Sequence, residues 1–335
     1  MNETRIGVAV SASDSNAALS VIEDLEKRGL RAAWMTSGSA GGADSLGLFA
    51  AAATRTQQIT LGTAITQTFS RHPVAMAQQV LVLAQLAPER FRLGLGTSGR
   101  AGMEQTLGVD FRAPLSHLRE YIRIEKSLLQ QGSVDFSGRH YEAHTSIPSP
   151  VNVPVMGAAL GVQAFQMCGA EADGAISWVC PGSYLHDVAL PAMRTGADRA
   201  GRTVPPLVAH LPVCVHDDPN EARDAVRQQF AGFARAPFYQ NMFIAAGFPE
   251  VSQGTWSDAM VDSVAAWGDE SRGMGSLQQL FSLGASEIMA SPVPAGVDRE
   301  ASLDRTLRLL SQAATSIRGG NRRQSAKFYT PELFI

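Results

Sequence analysis

The sequence predicts an α/β fold in which eight parallel strands and their helical crossovers close into a (β/α)8 barrel. Short β-rich runs alternate with longer segments of helical period along the 335-residue chain, the pattern of parallel strands joined by helices. Eight such runs are present. The chain is longer than an ordinary domain of roughly 150 residues, but a barrel commonly spends about 250 or more on a single unit.

The first strand is RIGVAV, from Arg5 to Val10. The helix after it places Leu19, Ile22, Leu25 and Leu30 near helical spacing and ends at Gly29. The second strand is AAWM (Ala32 to Met35), followed after a Gly-rich loop by the helical LGLFAAAATRT. The third is ITLGTAIT (Ile59 to Thr66), and its helix is opened by Pro73 and closed before Pro88. The fourth is FRLGLG (Phe91 to Gly96). A helix from Pro114 then turns Leu118, Ile122, Leu128 and Leu129 inward, leaving Arg119, Glu120, Arg123 and Lys126 for water, and VDFSGRHYEA reads as a hairpin. The last four strands are VPVMGA (Val153 to Ala158), GAISWV (Gly174 to Val179), LVAHLPVCV (Leu207 to Val215) and SEIMAS (Ser286 to Ser291).

Residues 1–317 are thus expected to form one barrel domain. The stretch 217–283 exceeds what one crossover needs and is expected to include a helical lid, with helical runs around Glu221 to Arg235 and Asp258 to Trp267. Residues 318–335 are expected to leave the barrel as a C-terminal tail.

Hydrophobic residues make up 45%, charged residues 18%, and the net charge is −3. That suffices for a large core and excludes a disordered or collagen-like chain. Without a broad basic field, a nucleic-acid binder built on phosphate neutralisation is excluded as well. Cys168, Cys180 and Cys214 are too scattered for a disulfide framework or paired zinc clasps. The first residues lack the pattern of a signal peptide and no segment offers about 18 uninterrupted apolar residues, so a cytoplasmic protein without a membrane role is expected.

In such a barrel the active site lies where the strands end. Those ends supply Ser11, Ser13 and Asp14; Thr36, Ser37 and Gly38; Ala64, Ile65 and Thr66; Thr97, Ser98 and Gly99; and Ser177, Trp178 and Cys180. This mouth is rich in hydroxyls and poor in metal ligands and acid/base pairs. In VMGAALGVQAF, small residues from Gly157 to Gly161 precede a helix starting at about Val162, where backbone N–H groups and the helix dipole favour an anion such as phosphate; tight packing of strand against helix is the competing explanation. LGLGTSG resembles a phosphate loop less well. His140 and His144 have the i,i+4 spacing of metal ligands but lie where a helix is not expected, and no metal site is assigned. His210, Cys214 and His216 read as a buried structural face, and His72 as a helix cap or packing residue.

Together, ITLGTAITQTFSRHPVAMAQQ, RFRLGLGTSG and VPVMGAALGVQAFQMCGAEADGAISW resemble the luciferase-like monooxygenase superfamily, and within it the branch that uses the deazaflavin coenzyme F420. HLREYI, VDFSG and LPVCVHDDP resemble the same branch. The resemblance spans roughly residues 5 to 315. It implies a (β/α)8 barrel, usually a homodimer, that exchanges hydride between coenzyme F420 and a small organic substrate. It places Ala64, Ile65 and Thr66 at a bulge supporting the cofactor ring, in several members with a non-prolyl cis peptide. Thr97 and Ser98 would lie along the ring and side chain. Ala158, Ala159, Leu160 and Gly161 would hold the phosphate, and Ser177, Trp178 and Val179 would border the same tail.

The departures concern the proton donor. Many relatives carry an Asp-His pair where this chain has Ser37 and Gly38, and some a Glu where it has Ser13 or Gly99. Asp14, Thr36, Ser98 and Arg100 are the nearest polar candidates, and Tyr239 of the insertion is another. Two further functions remain open: a monooxygenase using reduced FMN and oxygen, and a barrel that binds cofactor without turnover.

Overall fold

The computed structural model describes residues 5–324. Eight parallel strands form the barrel: Arg5–Ala9, Ala32–Met35, Thr60–Thr63, Phe91–Gly96, Val155–Ala158, Gly174–Ser177, Leu207–Val215 and Glu287–Pro292. Each pairs with the next, and the eighth pairs with both the seventh and the first, so the sheet closes. The third strand is the one whose expected length breaks. Its ladder stops at Thr63, the Ala64–Ile65 peptide is cis, and Thr66–Gln67 resumes pairing against the fourth strand.

Helix starts follow local chemistry. Asp14 caps Ser15–Lys27 by accepting from the Ala17 amide (3.0 Å), and Ala18, Leu19, Ile22 and Leu25 of that helix are buried. Pro73 opens Pro73–Leu86 and His72 caps it, its Nδ1 accepting from the Val74 amide at 3.3 Å. In Pro114–Lys126, one expectation is corrected. Glu120 is buried rather than solvated, because its carboxylate accepts from the Arg139 and His140 amides (3.1 and 2.8 Å) at the hairpin Ser133–Ser137/Glu142–Ser146. Farther along the same helix, Glu125 is fully buried with no partner for either carboxyl oxygen among the described residues.

The stretch 217–283 holds both an insertion and an ordinary crossover. Glu270–Ser282 is the ordinary crossover helix before the eighth strand. Trp267 lies not in a helix but in the short strand Ala266–Gly268, which extends the sheet beside Cys214. The extra material is Pro219–Gln229, Pro237–Ala245, Asp258–Val264 and the turns between them. Helix Arg299–Gln324 runs past the expected start of the tail at Arg318, and the rest of the tail, 325–335, lies outside the described residues. Helix Arg100–Leu107, after the fourth strand, was not anticipated.

Trp34 fills the lower barrel interior. A Cβ at Gly62 would stand 2.5 Å from its ring, and one at Gly7 would stand 2.9 Å from its indole nitrogen. Below the ring, Trp34 Nε1 donates to Glu287 Oε1 (2.9 Å), and Arg92 reaches both Glu287 oxygens at 2.7 and 3.1 Å with its guanidinium 4.5 Å from the indole centroid. Met156, Ile176, Val208 and Met289 pack in the same inner cluster.

Two predictions follow from these buried charges. Glu287→Ala leaves a buried guanidinium and an indole N–H unpaired, and should cost about 3–5 kcal/mol in urea unfolding with the slope unchanged; a loss below about 1 kcal/mol would contradict the plug. Burial pushes the Glu125 carboxyl well above its ordinary value of 4.5. The folded state therefore holds that proton more tightly, and its stabilising effect is complete below pH 4.5 and lost as pH rises through the folded value. Glu125→Leu should remove that part of the decline in stability above pH 4.5, whereas a pH–stability curve parallel to the parent's would show that the carboxyl is not buried.

Candidate active site

The C-terminal strand ends converge on a mouth floored by the third-strand bulge. The Ala64 amide donates to the Met35 carbonyl (2.8 Å), and the Ile65 carbonyl accepts from both the Ser37 amide (3.3 Å) and the Ser37 hydroxyl (3.2 Å). Ala64 and Ile65 belong to the barrel's inner apolar cluster. Thr66 is buried, and its hydroxyl has no hydrogen-bond partner among the described residues. A half-buried Thr97 and an exposed Ser98, the latter in the left-handed region (φ 59°), follow the fourth strand. The glycines of LGLG serve packing: a Cβ at Gly94 would overlap the Thr63 carbonyl and the Ile176 side chain.

The segment expected to cradle an anion follows the fifth strand. Helix Val162–Glu171 begins at Gly161 without a side-chain cap, so its first amides have no intrahelical acceptor. A Cβ at Gly161 would meet nothing within 4 Å, which leaves open space where an anion would approach. Tyr184 steadies the loop, its hydroxyl donating to the Leu160 carbonyl at 3.0 Å. Within the expected set, Ala159 is an exception, because its amide is already given to the Ile176 carbonyl (2.9 Å). Ala158 is half-buried at the strand end. The uncapped helix end, the open approach at Gly161 and the orphaned Thr66 hydroxyl fit a phosphate-bearing cofactor.

The sixth strand divides its expected residues. Ser177 is fully buried and donates to the Val208 carbonyl (3.4 Å), so its side chain is not presented to the mouth. Trp178 packs with the inner cluster and stacks on His210, with ring centroids 3.7 Å apart. Val179 adopts φ 50°, a rare conformation for a β-branched residue. Its amide donates to His210 Nδ1 (3.2 Å), which leaves the proton on Nε2 to donate to Ser291 Oγ at 2.7 Å. Burial pushes His210 down to about 3, so this imidazole is neutral.

Two of the four polar candidates, Asp14 and Arg100, have side chains engaged elsewhere. Asp14 is an exposed helix cap, and the Ala17 amide and the Ser13 hydroxyl hold its carboxyl below the usual range, which suits an acceptor rather than an acid. Arg100 pairs with Glu104 (2.7 Å) and lies over Phe111. The Thr36 carbonyl accepts from the Ser39 amide (3.2 Å) in the second-strand loop. Ser98 remains exposed at the mouth.

Ser291 and Tyr184 are the residues that sequence reasoning missed, whereas His210, read as a buried structural residue, is 1% exposed and bonded to Ser291. Every second residue of a barrel strand faces inward, and that period assigns Val208 and His210 to the interior; the usable signal was that His210 lies on this inner face. His140 and His144 sit on the hairpin, and His144 is paired with Asp135 (2.5 Å) and Glu142 (3.2 Å).

The family model for luciferase-like monooxygenases matches residues 3–287. The chain belongs to this family. The F420-dependent glucose-6-phosphate dehydrogenase of Kineococcus radiotolerans is 34% identical over 185 residues, covering 52% of this chain and 55% of that protein. This chain thus spans about half the length of the curated relatives it matches. Among solved structures, an F420-dependent secondary alcohol dehydrogenase aligns with a TM-score of 0.78 at 17% identity, covering 94% of this chain and all of that one. The F420-dependent tetrahydromethanopterin reductase of Methanopyrus kandleri aligns with 0.74 at 20%, covering 93% and 98%. At such identities the structural likeness establishes the fold, a (β/α)8 barrel. None of the described helices is long and apolar enough to cross a membrane.

Gly161→Asp would put a carboxylate into the open approach to the helix end. It should weaken binding of a phosphate-bearing flavin or deazaflavin by at least about tenfold while leaving the fold intact, as fluorescence quenching would show; unchanged affinity in a folded variant would remove Gly161 from the site.

Proposed function

We propose that the protein is a coenzyme F420-dependent oxidoreductase, moving a hydride between the deazaflavin and a small organic substrate. The observation that carries this reading is the pairing, within one mouth, of the apolar bulge at Ala64–Ile65 with the uncapped, open helix end at Gly161. One suits a flat ring and the other a phosphate. The F420-dependent relatives support the choice of cofactor.

When bound, coenzyme F420 supplies a hydride donor or acceptor. The chain supplies position and a hydrogen-bond donor. Ala64, Ile65 and Thr66 would support the ring, with Thr97 and Ser98 alongside it. The amides from Leu160 to Gln163 would hold the phosphate, with Tyr184 fixing the loop and Trp178 and Val179 bordering the tail. Tyr239 is the proposed proton-bearing group: burial pushes its hydroxyl well above its ordinary value, so Oη keeps its proton and donates a hydrogen bond to the substrate. His210 stays neutral and orients the Ser291 hydroxyl.

We also infer a homodimer. Helix Pro73–Leu86 leaves Val82 and Leu86 open to solvent at 49% and 40%, one turn apart on the same side; a monomer in sedimentation velocity would remove this inference.

Equilibrium titration with coenzyme F420 and, separately, FMN tests the main reading. F420 should bind at least about tenfold more tightly, a difference of about 1.4 kcal/mol. Selective FMN binding would point instead to an oxygen-using monooxygenase, and binding of neither would overturn a cofactor-dependent function.

A further inference from the structure

A row of aromatic rings runs over the mouth. It starts at Trp178, stacked on His210 at the end of the sixth strand. From His210 it passes to Phe230 (centroids 5.6 Å apart), Phe233 (5.9 Å), Tyr239 (4.7 Å) and Phe238 (4.9 Å). It ends above the loop after the fourth strand, where a Cβ at Gly99 would stand 3.7 Å from the Phe238 ring. The row thus bridges the sixth and fourth strand ends.

Phe230 and Tyr239 (7% exposed) are buried in the insertion's own packing, whose centre lies at other rings, and the outer rings of the row add little to it. There Phe243 meets Trp256 at 5.2 Å and Phe248 at 6.2 Å, and Trp256 Nε1 donates to the Phe230 carbonyl (3.1 Å). Phe243 is fully buried, whereas Phe238 is 47% exposed and Phe233 is half-buried. Aromatic faces left accessible beside a catalytic mouth mark a binding surface. The inner end of the row is built at a conformational cost. Val179 is held in the left-handed region with its amide on His210, and the neighbouring Trp178 lies flat on that imidazole. The arginines of the adjoining loops are committed elsewhere, Arg71 to Asp44 (2.6 Å) and Arg100 to Glu104 (2.7 Å).

From this juxtaposition we propose that Phe233, Tyr239 and Phe238 form the substrate wall, and that the substrate is an uncharged, planar, apolar molecule with an aromatic or conjugated ring. The proposal rests on the oxidoreductase reading and names its substrate class. A ring ligand would gain offset or edge-to-face contacts along the row and bury apolar surface, whereas a sugar phosphate would bring a dianion to an aromatic wall whose neighbouring loop arginines, Arg71 and Arg100, are already paired.

The test uses 2-naphthol as a planar probe and glucose 6-phosphate as its charged, polar counterpart, each titrated into the full chain with and without coenzyme F420. 2-Naphthol should saturate a single site. Phe238→Ala should weaken it by about fivefold, the size of one lost ring contact, and Phe233→Ala by at least as much. Because Phe238 is half-exposed, its variant should keep the parent's melting temperature and its F420 affinity within about twofold. Glucose 6-phosphate should not compete. Equal 2-naphthol affinity in the parent and Phe238→Ala, or tighter binding of glucose 6-phosphate than of 2-naphthol, would overturn the wall. Failure of the parent to bind F420 while 2-naphthol behaves as expected would count against the cofactor reading alone.

Discussion

The lower barrel interior has to accommodate one indole, and much of the surrounding sequence answers to it. Trp34 projects inward from the second strand, and neither the first nor the third strand can carry a Cβ where the ring lies, at Gly7 and Gly62. An indole N–H buried there needs an acceptor, which Glu287 supplies from the start of the eighth strand. A carboxylate at that depth needs a countercharge, which Arg92 supplies from the fourth. Three strands are thereby tied across the interior. With the amino-terminal side closed by this plug, the mouth is set at the other end.

At that end the geometry divides the labour. The third strand breaks after Thr63, so its backbone leaves the ladder and lays Ala64 and Ile65 across the floor, with Ser37 holding the Ile65 carbonyl. The fifth strand runs into a helix whose first amides have no cap. The sixth and seventh strands meet through Trp178, Val179 and His210, and the insertion carries aromatic surface onward from them. The bulge floor, the proposed anion cradle and the proposed wall come from separate segments, so each can vary without disturbing the interior.

Much of this arrangement was legible in the sequence because it rests on local rules. All eight strands announce themselves as short apolar runs, and Pro73 and Gly29 mark helix boundaries by helix-start and turn chemistry that needs no tertiary knowledge. The helix start after Gly161 was legible for the same reason, since small residues before a helix start are a local signal. What could not be read was whatever depends on depth. Glu120 looks like a solvated helix residue until the hairpin amides cover it. Ser177 looks like a mouth residue until the pleat turns it into the wall of the barrel. His210 is buried, as its sequence reading expects, but its pairing with Ser291, 81 residues away, and its stack on Trp178 are not legible from the strand alone. Trp267 falls in a helical pattern, but pairing beside Cys214 draws it into a strand.

The central claim is that the helix end at Gly161 and the bulge at Ala64–Ile65 receive one cofactor together. Hydrogen exchange of the full chain, followed by mass spectrometry with and without saturating coenzyme F420, tests it most directly. The account predicts slowed exchange in segments containing residues 160–163 and 64–68 at the same cofactor concentration. Protection confined to other segments, such as the surface groove between residues 221–228 and 295–299, would contradict it.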